Sequence, residues 1–436
     1  MKRWRRILAA AVAILLVLGT VRLWHLQGLV RHITINGPSM APALCGFHYE
    51  VTCGDCACPF RVDPESPPKS GLPACPNCGF GENELKAARM RPADRVIVDS
   101  WPLWWRTPAK GEIVAARQPG LPGTFFVKRV AGVGTGAAHA LSIDRGDLFV
   151  NGQLQRKNLA ELHRVRVLVH DNGFRPHKSK DLPPRWREGD ADSLWKAEHG
   201  GFRFSPKTSG QTDAHWLKYE NWNCTADAKL RGIAAPVRDN DSYNQGPGPR
   251  ELNAVSDCQL SCRVRASGDG ELRFAARDGT KSFEVVFKSR GGAAMQNEEA
   301  KNLLHLDFNL LKPAGSDIEF GLCDQQLLLA VDGRTVVRRA YERLAGETAE
   351  TLEPLAIGAR GVAVEVFRLR VWRDMYHLDP QGLPRLWTSG TVPADQVLLL
   401  GDNSPVSIDS RHWQPAGISR KDILGCVRRH FSKDEP

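Results

Sequence analysis

The sequence predicts a mainly β protein hung from one N-terminal transmembrane helix. A small zinc ribbon and a β-sandwich of jelly-roll type are inserted into its discontinuous β-domain. Three observations predict this. Lys2, Arg3, Arg5 and Arg6 precede an apolar run over 7–21. Two Cys-x-x-Cys pairs stand 18 residues apart early in the chain. Elsewhere, short apolar runs are punctuated by Gly-, Asn- and Asp-containing turns, without the strand–helix alternation of a βαβ fold. A chain of 436 residues is too long for one ordinary core, so several domains are expected.

The apolar run is shorter than the roughly 20 residues of a spanning helix. Arg22 can snorkel to the far headgroups and Trp24 suits an interface. A cleavable signal peptide is the rival reading. Arg22-Leu23-Trp24-His25 follows the run where a small-x-small cleavage site would stand, which favours a retained anchor over 1–25. The positive N-terminus keeps that end in the cytoplasm, and the chain beyond about residue 25 then lies outside it. The protein is expected in the cell's inner membrane, crossing it once. The net charge is +10, but basic residues are spread along the chain without a long basic helix. That reads as a surface tolerant of anionic membrane lipid, with no nucleic-acid partner.

Behind the anchor, residues 26–44, 91–158 and 386–436 read as one β-domain in three pieces. His32 to Ile35 alternates as a strand and runs into the turn Asn36-Gly37-Pro38-Ser39-Met40-Ala41-Pro42. Arg95-Val96-Ile97-Val98, Glu112-Ile113-Val114-Ala115 and Phe125-Phe126-Val127-Lys128-Arg129-Val130 are short strand candidates. Residues 45–90 are rich in cysteine, proline and glycine and form the first insert. Residues 159–385 form the second: a charged, proline-containing connection to about 195, then many strand candidates. These include Leu304-His305-Leu306-Asp307-Phe308 and a run through Asp332-Gly333.

Three distant segments carry candidate chemistry. A serine hydroxyl needs a base before it attacks, and the Gly-Pro-Ser turn at Ser39 exposes one beside free backbone N–H groups. Taken alone, such a turn is ordinary. Lys128 sits within an apolar strand; if buried, its amine loses affinity for a proton and becomes a general base near neutral pH. Its bland alternative is a solvent-facing strand lysine. The segment Gly401-Asp402-Asn403-Ser404-Pro405-Val406-Ser407-Ile408-Asp409-Ser410-Arg411 is dense in hydrogen-bonding groups, with Asp409 and Arg411 able to pair and Ser407 able to hold an amine; alone it reads as a polar surface turn.

In this order the three segments resemble the boxes of signal peptidase I, the serine–lysine proteases that remove signal peptides from exported proteins. Ser39-Met40-x-Pro42 follows the anchor, Lys128-Arg129 follows in a strand, and the 401–411 box closes the domain. Lys110-Gly111-Glu112-Ile113-Val114 and Asp147-Leu148-Phe149-Val150-Asn151-Gly152 are similar to lesser motifs of that family. The resemblance covers about half the chain. It implies that Ser39 attacks the scissile carbonyl, Lys128 takes its proton and Ser407 orients the lysine, with Asp402, Asp409, Arg411 and Arg129 bracing the site. It implies no catalytic cofactor, and as substrates preproteins bound as extended strands with Ala-x-Ala-like cleavage sites. Some relatives carry an oxyanion-binding serine where this chain has Gly37.

Cys53, Cys56, Cys75 and Cys78 have the spacing of a four-cysteine structural zinc site, with Cys45 and Cys58 close by in sequence. Disulfides are the competing reading, because this part of the chain is expected in an oxidising space. The second insert resembles laminin-G and concanavalin-like sandwiches, a fold that by itself fixes no ligand. Trp101, Trp104 and Trp105 either sit at the membrane interface or pack inside. Two other functions fit parts of the sequence. An anchored lectin-like module on a dead scaffold is opposed by the presence of both Ser39 and Lys128. A self-cleaving repressor-type protease is opposed by the anchor.

Overall fold

The computed structural model describes residues 2–26, 28–118, 123–134, 141–150, 152–189, 192–198, 200–206, 213–246, 250–289, 293–297, 314–343, 350–379, 392–413 and 415–431. The chain opens on a 25-residue helix, Lys2–Leu26. It outruns the apolar stretch because the flanking arginines and leucines are good helix formers. At 1.5 Å per residue it is about 38 Å long, more than the roughly 30 Å of a bilayer's hydrocarbon core. Its segment Arg3–Trp24 is long and apolar enough to cross a membrane, and none of that segment is buried against protein.

The discontinuous β-domain is a seven-stranded antiparallel sheet. Its spatial order is Val30–Thr34, Arg95–Asp99, Ile423–Phe431, Ile113–Arg117, Phe125–Val133, Gln396–Leu400 and Ile418–Ser419. The C-terminal strand thus lies in the middle of the sheet and locks the early and late pieces of the chain together. Neighbouring residues of a strand face opposite sides. Val114 joins an apolar cluster with Val130, Val397 and Leu399, while Ala115 joins another with Ile33, Met40, Val96 and Val98. The central strands are therefore covered on both faces, and Lys128 stands opposite Val114 in this covered region.

The cysteine insert builds a small sheet of Pro59–Val62, His48–Thr52 and Arg89–Arg91. Its core is Cys53, Cys56, Cys58, Cys75 and Cys78 with Val51, Phe60, Val62, Phe80 and Leu85. The larger insert is a β-sandwich of an eight-stranded and a six-stranded sheet. Between them lies one apolar core that includes Trp195, Phe204, Tyr219, Phe274 and Phe320. Asp332 and Gly333, at φ 49° and 76°, make the two-residue turn between Gln326–Val331 and Arg334–Ala340. Both positive φ values match the hairpin turn that Asp-Gly favours. The strand candidate at 304–308 lies outside the described residues.

The stretch to about 195 does more than connect. Helix Leu159–His163 is followed by Val167–Asp171, which pairs with Ala363–Arg373, and by Trp186–Glu188, which pairs with His215–Tyr219. Both strands belong to the sandwich. Their strand signal is hidden because each is short and flanked by charges and prolines, so no alternation accumulates.

Candidate active site

Gly37 and Pro38 lead into a single 3₁₀ turn, Pro38–Met40, as proline at the first helical positions allows. Met40 is buried in the sheet's core and Ala41 is buried against Cys45 and Tyr243, which leaves Ser39 half-buried between them. Among the described residues the Ser39 hydroxyl has no hydrogen-bond partner. The turn is held instead by its carbonyls. The Asn403 backbone N–H donates to the Ser39 carbonyl at 3.1 Å, and the Asn403 side-chain amide donates to the Pro38 carbonyl at 3.0 Å.

Lys128 is 3% exposed. Its Nζ donates to Ser407 Oγ at 2.8 Å, and Ser407 donates in turn to Asp409 Oδ2 at 2.7 Å. Asp409 also accepts from the N–H of Gly401 at 2.9 Å, and from Arg411 through its backbone N–H, Nε at 2.8 Å and a terminal nitrogen at 2.8 Å. Beside this chain, Arg129 grips Asp402 through two parallel bonds of 2.7 and 2.6 Å and reaches the Gly111 carbonyl. All seven residues singled out in the sequence thus meet at one end of the sheet.

Two electrostatic consequences follow. Burial lowers the Lys128 amine to about 8; the Asp409 and Asp402 charges push it up, and Arg411 pushes it down. For Asp409, burial favours the neutral acid, but the hydrogen bonds from Arg411 and its charge hold the carboxyl far below the usual range. The lysine is the weakly held proton site of this cluster and the aspartate its permanent charge.

Gly401 shows how tightly the two halves meet. A Cβ there would collide with Ser407 Oγ and stand 2.5 Å from the Ser39 carbonyl oxygen. One methyl-sized gap therefore separates the serine turn from the group that holds Lys128. Gly401→Ala is expected to displace one or the other and to lower the melting temperature by several degrees, as calorimetry would register.

Sequence reasoning missed Asn403 and Asn244. Asn244 comes from the sandwich insert and forms a reciprocal amide pair with Asn403, at 2.6 and 2.9 Å. Its neighbour Tyr243 packs on Ala41 and Cys45 and accepts the Asp63 N–H at 3.0 Å; Gln245 exchanges two hydrogen bonds with the Ala74 backbone. The 243–245 loop therefore touches the serine turn, the 401–411 box and the ribbon at once. Asn403 was within sight, inside a recognised box. Asn244 carries no signal, since a lone asparagine in a loop is an ordinary turn residue.

The ribbon itself brings Cys53, Cys56, Cys75 and Cys78 together, with all four sulfurs within 4.8 Å of one another. The Sγ atoms of Cys53 and Cys78 are 3.6 Å apart, and those of Cys56 and Cys75 are 3.7 Å apart. Tetrahedral zinc with Zn–S near 2.3 Å sets sulfurs about 3.8 Å apart, so the residues fit the ion. None of the eleven cysteines is joined in a disulfide. Neither Cys45 nor Cys58 belongs to the set of four. Asp55, within the first knuckle, accepts the N–H groups of His177, Lys178 and Ser179 and so seats the ribbon on the sandwich.

Trp101, Trp104 and Trp105 do not pack inside. They are 39%, 65% and 62% exposed, and Trp101 stacks on Trp24 at the end of the N-terminal helix, centroids 5.5 Å apart.

Residues 323–431 match the family model described as signal peptidase, peptidase S26. The match contains the 401–411 box and leaves Ser39 and Lys128 outside it. Over that quarter of the chain it supports a peptidase of signal-peptidase kind, and the apolar N-terminal helix fits a chain that crosses a membrane once. Comparison with curated proteins finds no match. Among solved structures, the chain is similar to a carbohydrate-binding module, CBM66, of Bacillus subtilis. That likeness has 9% identity and a TM-score of 0.27 and covers 43% of this chain and 94% of that one. It is also similar to the endo-β-1,3(4)-glucanase SCLam of family GH16, with 11% identity, a TM-score of 0.28 and coverage of 55% and 97%. The Caenorhabditis elegans galectin LEC-6 follows, with 11% identity, a TM-score of 0.21 and coverage of 27% and 83%. At these scores the likenesses carry no argument about binding or activity.

Proposed function

We propose that this protein is a signal peptidase I: a membrane-anchored serine endopeptidase that cleaves signal peptides from exported preproteins with Ser39 and Lys128. The observation that carries the reading is a buried lysine of lowered proton affinity, held by Ser407 and Asp409 across one glycine from an unpartnered serine.

The reaction follows from these positions. The neutral Lys128 amine accepts the Ser39 proton as Oγ attacks the scissile carbonyl. The oxyanion is met by the Ser39 backbone N–H; Gly37 offers no side-chain donor. The Lys128 ammonium then protonates the leaving amine, and the bond to the signal peptide breaks. Water hydrolyses the acyl ester on Ser39 while Lys128 again carries the proton. Ser407 keeps Nζ aimed, and Asp409 fixes the Ser407 hydroxyl. Asp402 with Arg129, and Asp409 with Arg411, keep the box rigid. Substrates bind as an extended strand, with small residues at the first and third positions before the cut.

The anchor places the site beside a substrate that is itself held by an apolar helix. Lys2, Arg3, Arg5 and Arg6 keep the N-terminus in the cytoplasm, and the site faces the opposite side of the inner membrane. The exposed indoles of Trp101, Trp104 and Trp105 rest at headgroup depth, where Trp24 ends the span. Zinc held by Cys53, Cys56, Cys75 and Cys78 is structural, since the ribbon is too small to be stable on its apolar core alone.

The full chain in lipid vesicles is expected to cut a preprotein after an Ala-x-Ala site, and Ser39→Ala to leave it uncut. An inert wild type, or a Ser39→Ala protein that still cuts, would refute the proposal. Asn244→Ala should lower kcat by about tenfold and change KM little, because it frees the amide that holds the serine turn at a cost of one or two hydrogen bonds. Steady-state kinetics at fixed pH would check it.

A further inference from the structure

Among the described residues eight side chains carry a buried nitrogen or oxygen with no protein hydrogen bond, and three of them stand together away from the serine turn: His170 at its ring nitrogens, Arg185 at Nε and Trp186 at Nε1. They are 7%, 5% and 3% exposed, and all three line one cavity in the seam between the ribbon and the sandwich. They form a single group around Tyr219. The Trp186 and His170 rings lie 5.3 and 6.0 Å from the Tyr219 ring, and the Arg185 guanidinium carbon lies 6.0 Å from it.

Arg185 has no carboxylate partner among the described residues, and the ribbon thiol Cys56 acts on His170 and Cys224 from a distance. Arg185 donates to Tyr219 Oη at 3.1 Å, to Asn221 Oδ1 at 2.6 Å and to Cys224 Sγ at 2.8 Å, and it covers the Trp222 ring at 3.8 Å. Burial raises both the Tyr219 phenol and the Cys224 thiol, so neither supplies a negative charge. A buried guanidinium without a counter-charge is unfavourable, and so is each buried polar atom left unpaired. Native proteins rarely carry such groups in one place without an ion or water to meet them.

The chemistry selects the occupant. Arginine and the indole nitrogen only donate, so a cation is excluded, and a neutral molecule leaves the charge uncompensated. Of the exposed charges that line the same cavity, Arg175, Lys180 and Arg187 outnumber Glu188, so its rim draws negative charge. We propose that this cavity binds a small oxyanion, phosphate or carboxylate, on the N–H groups of Arg185 Nε, Trp186 Nε1 and His170. The site stands on elements separate from Ser39 and Lys128, so it goes beyond the proteolytic reading and does not depend on it.

Equilibrium dialysis of the full, metal-loaded chain in detergent tests this with radiolabelled inorganic phosphate in one arm and acetate in the other. Saturable binding of about one ion per chain is expected in at least one arm, and the arm that binds identifies the chemistry. Arg185→Gln should weaken it at least tenfold. Trp186→Phe keeps the ring and removes the N–H, and should weaken binding roughly fivefold, the worth of one hydrogen bond. If Arg185→Gln does not fold, Trp186→Phe decides. No saturable binding in either arm at millimolar concentration, or undiminished binding in the variants that fold, would overturn the proposal. So would a high-resolution structure from phosphate and acetate that shows only water on the three donors.

Discussion

Lys128→Ala is expected to reduce preprotein cleavage by about 10²–10⁴-fold, the range that one positioned base supplies. Lys128→Arg should not restore it, because a guanidinium keeps its proton at any working pH. The fold should survive both the loss of charge and the loss of length. The native amine sits at about 8 against an ordinary value of 10.5, so burial of the ammonium costs about 3 kcal/mol at neutral pH. That unfavourable contribution is fully present below about pH 8 and fades as pH rises toward 10.5, because over that interval the unfolded chain holds the proton that the native chain has released. Lys128→Ala removes the cost along with the base. An inactive variant that melts no lower than wild type therefore separates catalysis from stability.

The same titration sets the pH profile. In the wild type, kcat/KM should rise about tenfold per pH unit below 8 and level off above it, as Lys128 loses its proton. Asp409 is ionised throughout this range, so it adds no second limb. A profile flat from pH 6 to 9 would show that another group, or none, takes the Ser39 proton.

How much of this was legible in the sequence depended on how local each signal is. Ser39, Lys128 and the 401–411 box were each ordinary alone and were singled out only by their order, which resembles the boxes of one protease family. The ribbon was legible locally, because a metal knuckle needs its two thiols three positions apart. Asp332-Gly333 announced its hairpin because few other dipeptides adopt two positive φ angles. The burial that lowers the proton affinity of Lys128 was not legible, since it depends on strands from distant parts of the chain closing over it. The short strands at 167–171 and 186–188 were hidden by their charged neighbours. Asn244 was invisible, since its meaning lies wholly in a partner 159 positions away. Buried charges such as Arg343, which reaches Asp147, Asp257 and Asp278 together, were equally out of reach, because pairing across domains leaves no periodicity.

The bridge at 243–245 leads to the second large effect. Removal of the zinc proposed for the ribbon, by a chelator or by Cys75→Ser, should lower kcat by on the order of 10²-fold, the loss expected from a misplaced reacting group, although Ser39 and Lys128 are untouched. Four of the ten buried residues in the ribbon's core are the knuckle cysteines, and structural zinc supplies roughly 10–16 kcal/mol to such folds. Without it, Asp63 and Ala74 no longer hold Tyr243 and Gln245 in place. The loop that presses on Ala41 and pairs Asn244 with Asn403 then loses one of its two supports, and the carbonyls of Pro38 and Ser39 lose a fixed donor. The lysine is seated by Ser407 and Asp409, which do not touch the ribbon, so the midpoint of the pH profile should stay near 8 while kcat falls. Metal content, the pH midpoint and kcat measured on the same sample, before and after zinc is returned, would check the argument. Full activity in a chain shown to be free of metal would sever the ribbon from the serine turn.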